Sequence, residues 1–421
     1  MVKQMASEFT YIINSGNIPE EWKNTRVVAI PKKGDLELTK NWRGISLIST
    51  EYKIFAAIIA TRLKQQLIEK NLLSPEQHGF LAGRSTIEAC GVLTEVLMRR
   101  KLTHMFFLDI SQAFDSVHPM TLSLTLHRFK IPEKMIKLIV DIYSNYKVTI
   151  TDTVEEETEW QNTSCGVRQG CTLAPLLFIM VIDDLIQQLS KLPGISVPAM
   201  SDFTISSQGI IRNEISQLWY ADDAVFLANR YEELQDKIEL VNQWLIENGM
   251  RMNIDKSYTM IRGSCQAKRN QLVHKLGEKT FTNVTNFKYL GLNVYDKRII
   301  KNMALARSND CIKTMITCKS ILMRNNHISI SGRIQFLQAI ASSVALYGCE
   351  IWASSTTTLK SITSILAEKI KQCLGVSDNT LTFIAFLKVT LASQYLQQDS
   401  DKFDSYINYT TAQCKIDGPV S

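Results

Sequence analysis

Along the chain, segments whose apolar residues recur every three or four positions alternate with short segments in which they run almost unbroken. Over Lys53 to about Lys70 the helical period puts Ile54, Ala57, Ile58, Leu63 and Leu67 on one face and predicts a long amphipathic helix. Met120–Phe129 and Glu133–Tyr146 share that period, and Glu232–Gly249 spaces Leu234, Ile238, Val241 and Leu245 by four, three and four. Leu173–Leu189 is predominantly apolar, which predicts a buried helix. A short helix at Ile18–Asn24 precedes the strand candidate Thr25–Pro31. Further strands are expected at His104–Ile110, Lys147–Thr151, Thr158–Asn162, Arg251–Arg262 and Phe287–Val294, with a strand–turn–strand at Leu218–Ala228. From Lys297 to about Leu346 the pattern is helical again. Strands interleaved with long helices, without regular alternation, predict an α+β core followed by a helical C-terminal part.

Composition adds limits. A chain of 421 residues, 45% hydrophobic and 21% charged, is long enough for several folded units and excludes disorder throughout. Its nine cysteines contain no C-x-x-C and no His/Cys cluster of zinc spacing, so neither a disulfide framework nor a zinc module is expected. The N-terminus lacks the apolar run of a signal peptide, and the longest non-polar run, Leu173–Ile182, is too short to span a bilayer and contains Pro175. The expectation is an intracellular protein, nuclear or cytoplasmic, with no membrane partner.

Charge is unevenly spread. The formal net charge is only +6, yet Lys297, Arg298, Lys301, Arg307, Lys313, Lys319, Arg324 and Arg333 face a single acidic residue, Asp310, within their segment. That is the footprint expected of a surface for a polyanion, or equally of a solvated helix face.

Asp222 and Asp223 stand at the centre of the apolar stretch Leu218–Leu227. Two adjacent carboxylates in such surroundings are costly unless a cation neutralises them, and a hard divalent ion such as Mg²⁺ suits oxygen donors. The alternative is an exposed hairpin tip. A second apolar strand, Met105–Leu108, ends in Asp109, with Asp115 six residues further on. If the strands are neighbours, Asp109 completes a triad able to hold two metal ions for phosphoryl transfer.

At these residues the sequence resembles the reverse transcriptases, most closely those of non-LTR (LINE-like) retrotransposons. Tyr220–Asp223, YADD, is similar to the family's polymerase signature, and Phe107–Val117 to its first catalytic motif. Gly166–Phe178 is similar to the motif that lies against template and incoming nucleotide. Pro19–Trp22, Pro31–Asp35, Asn41–Leu47, Gln77–Phe80 and Gly83–Ser85 resemble finger motifs. Gly249–Lys256 and Phe287–Gly291 resemble the strand bearing a motif lysine and the primer grip, and Tyr347–Trp352 a segment found beyond the thumb.

The resemblance implies a right-hand polymerase with fingers, a palm of antiparallel strands packed on helices, and a helical thumb. It implies RNA-directed DNA synthesis on an RNA template from a DNA primer and deoxynucleoside triphosphates, with two Mg²⁺ ions and Mn²⁺ as a substitute. Asp109, Asp222 and Asp223 would bind metal together with the carbonyl of Ile110. Phe114 would be the steric gate that excludes a ribose 2′-hydroxyl, and Gln169 would contact the incoming nucleotide. Lys32 or Lys33 and Arg43 would reach the triphosphate, and Lys256 would protonate pyrophosphate. Leu290 and Gly291 would seat the primer, while Lys297, Arg298, Lys301, Arg307 and Lys313 would meet duplex phosphates. Asp115 would orient the loop instead of binding metal. Asp183 and Asp184 read as a solvated helix terminus.

Four segments are expected: residues 1–18 as a remnant of the fingers region, 19–294 as fingers and palm, 295–352 as a basic helical thumb, and 353–421 as a helical region of unknown role. Two rivals remain at this point. One is a group II intron-type or telomerase-like reverse transcriptase. The other is a truncated or domesticated RNA-binding protein derived from a retroelement.

Overall fold

The structure is a computed structural model that describes residues 2–31, 34–144, 146–151, 158–197, 214–263, 271–324, 339–340 and 343–353. The expected helical region 353–421 therefore lies outside the described residues, apart from Ala353. The chain divides into two units, one of residues 1–89 and 99–284, the other of residues 90–98 and 285–421.

The first unit opens with α1 (Val2–Ser15) and α2 (Glu20–Lys23), followed by β1 (Asn24–Pro31), β2 (Trp42–Leu47) and α3 (Thr50–Glu69). After α4 (Thr86–Arg99), which is shared between the units, come β3 (Thr103–Leu108), α5 (Pro119–Arg128), α6 (Glu133–Ser144), β4 (Tyr146–Thr151), β5 (Gln161–Thr163) and α7 (Ala174–Leu189). The short pair β6 (Ile195–Ser196) and β7 (Glu214–Ile215) precedes β8 (Gln217–Tyr220), β9 (Asp223–Ala228), α8 (Tyr231–Glu247) and β10 (Tyr258–Arg262). Three two-residue strands, β11 (Lys275–Leu276), β12 (Lys279–Thr280) and β13 (Thr282–Asn283), complete it.

Two sheets organise this unit. One has the order β13-β10-β3-β9-β8, antiparallel throughout except for the parallel β10–β13 pair. Every residue of β3 is buried and all but the first of β9, because apolar side chains point to both faces. Phe106 of β3 lies opposite Phe226 of β9, their rings stacked at 5.9 Å, and Phe281 meets Phe106 edge-on at 4.9 Å. Helix α7, with twelve of its sixteen residues buried, and α8 supply much of the same core. The other sheet, β2-β1-β4-β5, buries little of β1 and β2.

The helical period of α3 is as expected, but its buried stripe is Tyr52, Phe55, Ala56, Ile59, Leu63 and Leu67; Ile54 and Ile58 face solvent at 42% and 36%. Aromatic partners select that stripe: Phe9 of α1 packs edge-on against Phe55 at 5.4 Å, and Trp22 of α2 lies 5.8 Å from Tyr52. The residues expected as a remnant thus include an ordered helix whose Phe9 and Ile12 are buried. The strand expected over Arg251–Arg262 is confined to Tyr258–Arg262, preceded by a 3-10 turn at Ile254–Lys256.

In the second unit β14 (Asn286–Tyr289) and β15 (Leu292–Tyr295) form a hairpin, followed by α9 (Ile299–Arg324) and the short α10 (Cys349–Trp352). The Cys90 thiol donates to the Tyr289 carbonyl and is buried, which pushes it up to about 12. All six cysteines among the described residues are free. No helix among the described residues is long and apolar enough to cross a membrane.

Candidate active site

The strand register builds the site. Pairing of β3 with β9 ends at Leu108↔Ala224, so the next antiparallel position sets Asp109 against Asp223. Directly opposed residues of this kind carry side chains on one face with Cβ atoms about 5 Å apart. Pairing of β8 with β9 closes at Tyr220↔Asp223, leaving Ala221 and Asp222 as a two-residue turn. Three carboxylates therefore meet at one end of the five-stranded sheet.

Their electrostatics fit that meeting. Burial of the strand end, reinforced by the charges of Asp222 and Asp109, pushes Asp223 up to about 6, although the side chain keeps an exposed edge. Burial also raises Asp222, Asp109 adding repulsion and Arg43 opposing it. Asp109 is raised by burial and relieved by the Lys256 charge and a side-chain hydrogen bond from Asn253. Repulsion between carboxylates at a half-buried strand end is the kind that a hard cation such as Mg²⁺ relieves. Among the described residues, no three His, Cys, Asp or Glu side chains already stand around a single ion position.

Backbone contacts lock the approach to the triad. The Asp109 N–H donates to Ser257 Oγ at 3.1 Å, and the Asn253 N–H donates to the Asp109 carbonyl at 2.9 Å. Ile110 is buried and bridges Met252. Lys256, at the end of the 3-10 turn, is exposed, with its charge acting on Asp109. Arg43 stands exposed on β2 opposite Ile30. Lys32 and Lys33 lie outside the described residues.

Phe114 sits on a 3-10 turn, Phe114–Ser116, its ring stacked on Phe178 at 4.5 Å. Its carbonyl accepts from the Val167 N–H at 2.8 Å, which joins it to the loop bearing Gln169. Gln169 donates from Nε2 to both carboxylate oxygens of Asp115, each at 3.1 Å, and its carbonyl accepts from the Ser46 N–H. Asp115 thus braces the glutamine loop. Gly166, at φ +97°, fits against the Asp115 backbone where a Cβ would come within 2.9 Å of its carbonyl.

Several residues of this region carried no role in the sequence reading. Arg168 is buried, with its guanidinium over the Tyr52 ring at 4.5 Å and donating to the Trp22 carbonyl at 2.6 Å and the Ile142 carbonyl at 3.3 Å. Its partners are scattered over the first 146 residues, so no spacing advertises them. Arg84 likewise gathers carbonyls of Ser74, Pro75 and Gln77. Asp183 is no solvated terminus: it is fully buried within α7, accepts from the Ser74 N–H at 2.7 Å and pairs with Arg128 at 3.4 Å. Burial pushes it up to about 6.

In the second unit Leu290 and Gly291 are the turn of the β14–β15 hairpin, both at positive φ, and the Tyr347 hydroxyl donates to the Leu290 carbonyl at 2.7 Å. Lys297, Arg298, Lys301 and Lys313 are exposed. Arg307, expected to face phosphate with them, is instead 6% exposed and ion-paired with Asp310, because its position falls on the buried side of α9.

The model of the family described as "Reverse transcriptase (RNA-dependent DNA polymerase)" matches residues 30–294, more than half of the chain. The "Retrovirus-related Pol polyprotein from type-1 retrotransposable element R2" of Nasonia vitripennis is 29% identical over 298 residues, covering 68% of this chain and 27% of that protein. The "Probable RNA-directed DNA polymerase from transposon X-element" of Drosophila melanogaster is 24% identical over 419 residues, covering 94% of this chain and 42% of that protein. The chain thus spans less than half the length of either relative. Among solved structures, a telomerase from Candida albicans in complex with a fragment of telomeric RNA superposes with a TM-score of 0.47 at 12% identity, covering 96% of this chain and 68% of that one.

Proposed function

Because the chain belongs to the reverse transcriptases, the family of RNA-dependent DNA polymerases, we propose that it extends a DNA primer on an RNA template, as part of a non-LTR retrotransposon-type polymerase. The observation that carries the reading is the meeting of Asp109 with Asp222 and Asp223 at one sheet end. Asp109, the Ile110 carbonyl, Asp222 and Asp223 would hold two Mg²⁺ ions, or Mn²⁺ in their place. When bound, such ions supply the positive charge that eases deprotonation of a primer 3′-hydroxyl and neutralises a triphosphate.

The chain's own residues do the rest. Arg43, exposed beside the triad, and the lysine pair Lys32 and Lys33 receive the triphosphate of a deoxynucleotide. Phe114, fixed by its stack on Phe178, lies beneath the sugar and excludes a 2′-hydroxyl. Gln169, aimed by Asp115, meets the nucleotide, and Lys256 delivers a proton to the leaving pyrophosphate. Leu290 and Gly291 seat the primer, and Lys297, Arg298, Lys301 and Lys313 contact duplex phosphates; Arg307 is left out of that set. In this reading residues 19–294 are fingers and palm, 295–352 thumb, and the helix over residues 2–15 belongs to the fingers.

Primer extension on an RNA template with Mg²⁺ tests it. The parent chain should extend, and Asp222→Ala should lower the rate about 100-fold or more. Equal extension by Asp222→Ala would remove the metal site from the reaction.

A further inference from the structure

Residues Ser74–Gly79 lie along the outer edge of β8 as a short parallel addition. The Trp219 N–H donates to the Glu76 carbonyl at 2.9 Å, and the His78 N–H donates to the Trp219 carbonyl at 2.7 Å. The segment is fixed from behind, since Asp183 accepts from the Ser74 N–H at 2.7 Å and Arg84 Nη1 donates to the Pro75 and Gln77 carbonyls at 2.9 and 2.5 Å.

Gln77 reaches from this segment into the catalytic turn. Its side chain is wholly buried; Oε1 accepts from the Gly79 N–H at 2.7 Å and the Ala221 N–H at 2.9 Å, and Nε2 donates to the Ala221 carbonyl at 3.4 Å. Two N–H groups converging on one atom require it to be the oxygen, which fixes the orientation of the amide. Gly79 permits the approach, because a Cβ there would overlap the Ala221 nitrogen.

Ala221 needs such support. It has φ +58° and is the first residue of a two-residue turn whose second residue, Asp222, is not at positive φ. Hairpins of this type usually place glycine there, since a left-handed conformation is unfavourable for a residue with a Cβ.

Building on the reverse transcriptase reading, we propose that Gln77 is a positioning residue for nucleotidyl transfer: by gripping both the N–H and the carbonyl of Ala221 it holds the strained turn that aims Asp222 and Asp223. Gln77 touches neither nucleotide nor metal. It acts through the backbone of the residue before them.

The test uses the full chain with Gln77→Met, similar in length but without hydrogen bonds, and Gln77→Glu, which keeps an acceptor. Gln77→Met should lower kcat about 10- to 100-fold, as small misplacements of reacting groups do, leave KM for deoxynucleotide within about twofold, and raise the Mg²⁺ concentration needed for half-maximal rate. Gln77→Glu should recover part of the rate. Adding Ala221→Gly to Gln77→Met should also recover part of it, because glycine adopts the turn without the clamp. Hydrogen exchange at residues 219–223 should quicken in Gln77→Met while α7 stays protected.

Parent kcat and Mg²⁺ dependence in Gln77→Met would overturn the proposal, as would a loss shared equally by α7 protection and not relieved by either second variant. If the parent does not extend primers, the polymerase reading fails separately. The exchange measurement then decides the clamp: faster exchange at Ala221 supports it, and unchanged exchange overturns it.

Discussion

The two large sheets of the first unit use the same kind of residue to opposite ends. In the five-stranded sheet β3 is buried at every position and β9 at five of six, so both faces are covered. In the four-stranded sheet β1 buries one residue of eight and β2 one of six, while Ile30, Ile45 and Leu47 remain 44%, 38% and 50% exposed. The register sets Arg26 opposite Leu47, Val28 opposite Ile45 and Ile30 opposite Arg43, so one face carries these residues together. A triad of mutually repelling carboxylates requires a rigid base, which the covered sheet supplies. Under the polymerase reading, the uncovered face of the other sheet, with apolar side chains beside guanidinium groups, is where a template strand can lie.

The comparison breaks most visibly at the aromatic centre of the covered sheet. Phe106→Ala should cost about 3–5 kcal/mol in denaturant unfolding, because it empties a site shared with Phe226 and Phe281. A loss below about 1 kcal/mol would mean that this sheet is not the rigid one.

Lys237 gives a subtler test of the same sheet. It is fully buried on α8, donating to the Leu227 carbonyl at 2.6 Å and the Ser216 carbonyl at 3.3 Å, and burial lowers it to about 8. The unfolded chain keeps that proton up to the ordinary lysine value, so between pH 8 and the ordinary value the unfolded state binds more protons and stability rises with pH. The rise should be on the order of 3 kcal/mol and should disappear in Lys237→Met, measured as the difference between the two chains' unfolding free energies across that pH range.

The smallest stability effect belongs to the open sheet. Leu47→Ser should change unfolding by no more than about 0.5 kcal/mol. Under the polymerase reading it should weaken template–primer binding severalfold by fluorescence anisotropy. A destabilisation equal to that of Phe106→Ala would erase the contrast between the sheets.

How much of this was legible depends on where the determining contacts lie. The strand–turn–strand around Asp222 and the apolar helix α7 were readable because each is specified by neighbours in sequence. Helix α4 was not, since TIEACGVLTEVLMR carries β-branched residues and a glycine, which lower its helix propensity. The buried face of α3 is not legible in the sequence because Ile54 and Ile58 are apolar too, and the choice among apolar stripes is made by Phe9 and Trp22. Asp183 looks like a surface charge until Arg128 is brought to it, and Arg307 does so until the packed side of its helix is known. Within the candidate site, Asp109 and the Asp222–Asp223 pair could be named from local pattern, while their juxtaposition needed the β3–β9 register. The grip of Gln77 on a backbone 144 residues away has no local signature at all.

The strip laid by Glu76–His78 along β8 also bears on how the chain behaves in a crowded solution. It occupies the backbone N–H and carbonyl of Trp219, which would otherwise be an unpaired rung at the border of a sheet. Detachment of Ser74–Gly79 from β8, with the rest of the chain folded, would present that rung, flanked by Leu218 and Tyr220, to other copies of the chain. Strand borders of this composition stack edge to edge. Loss of that cover alone should therefore favour precipitation or β-rich assembly while the core of the unit stays in place.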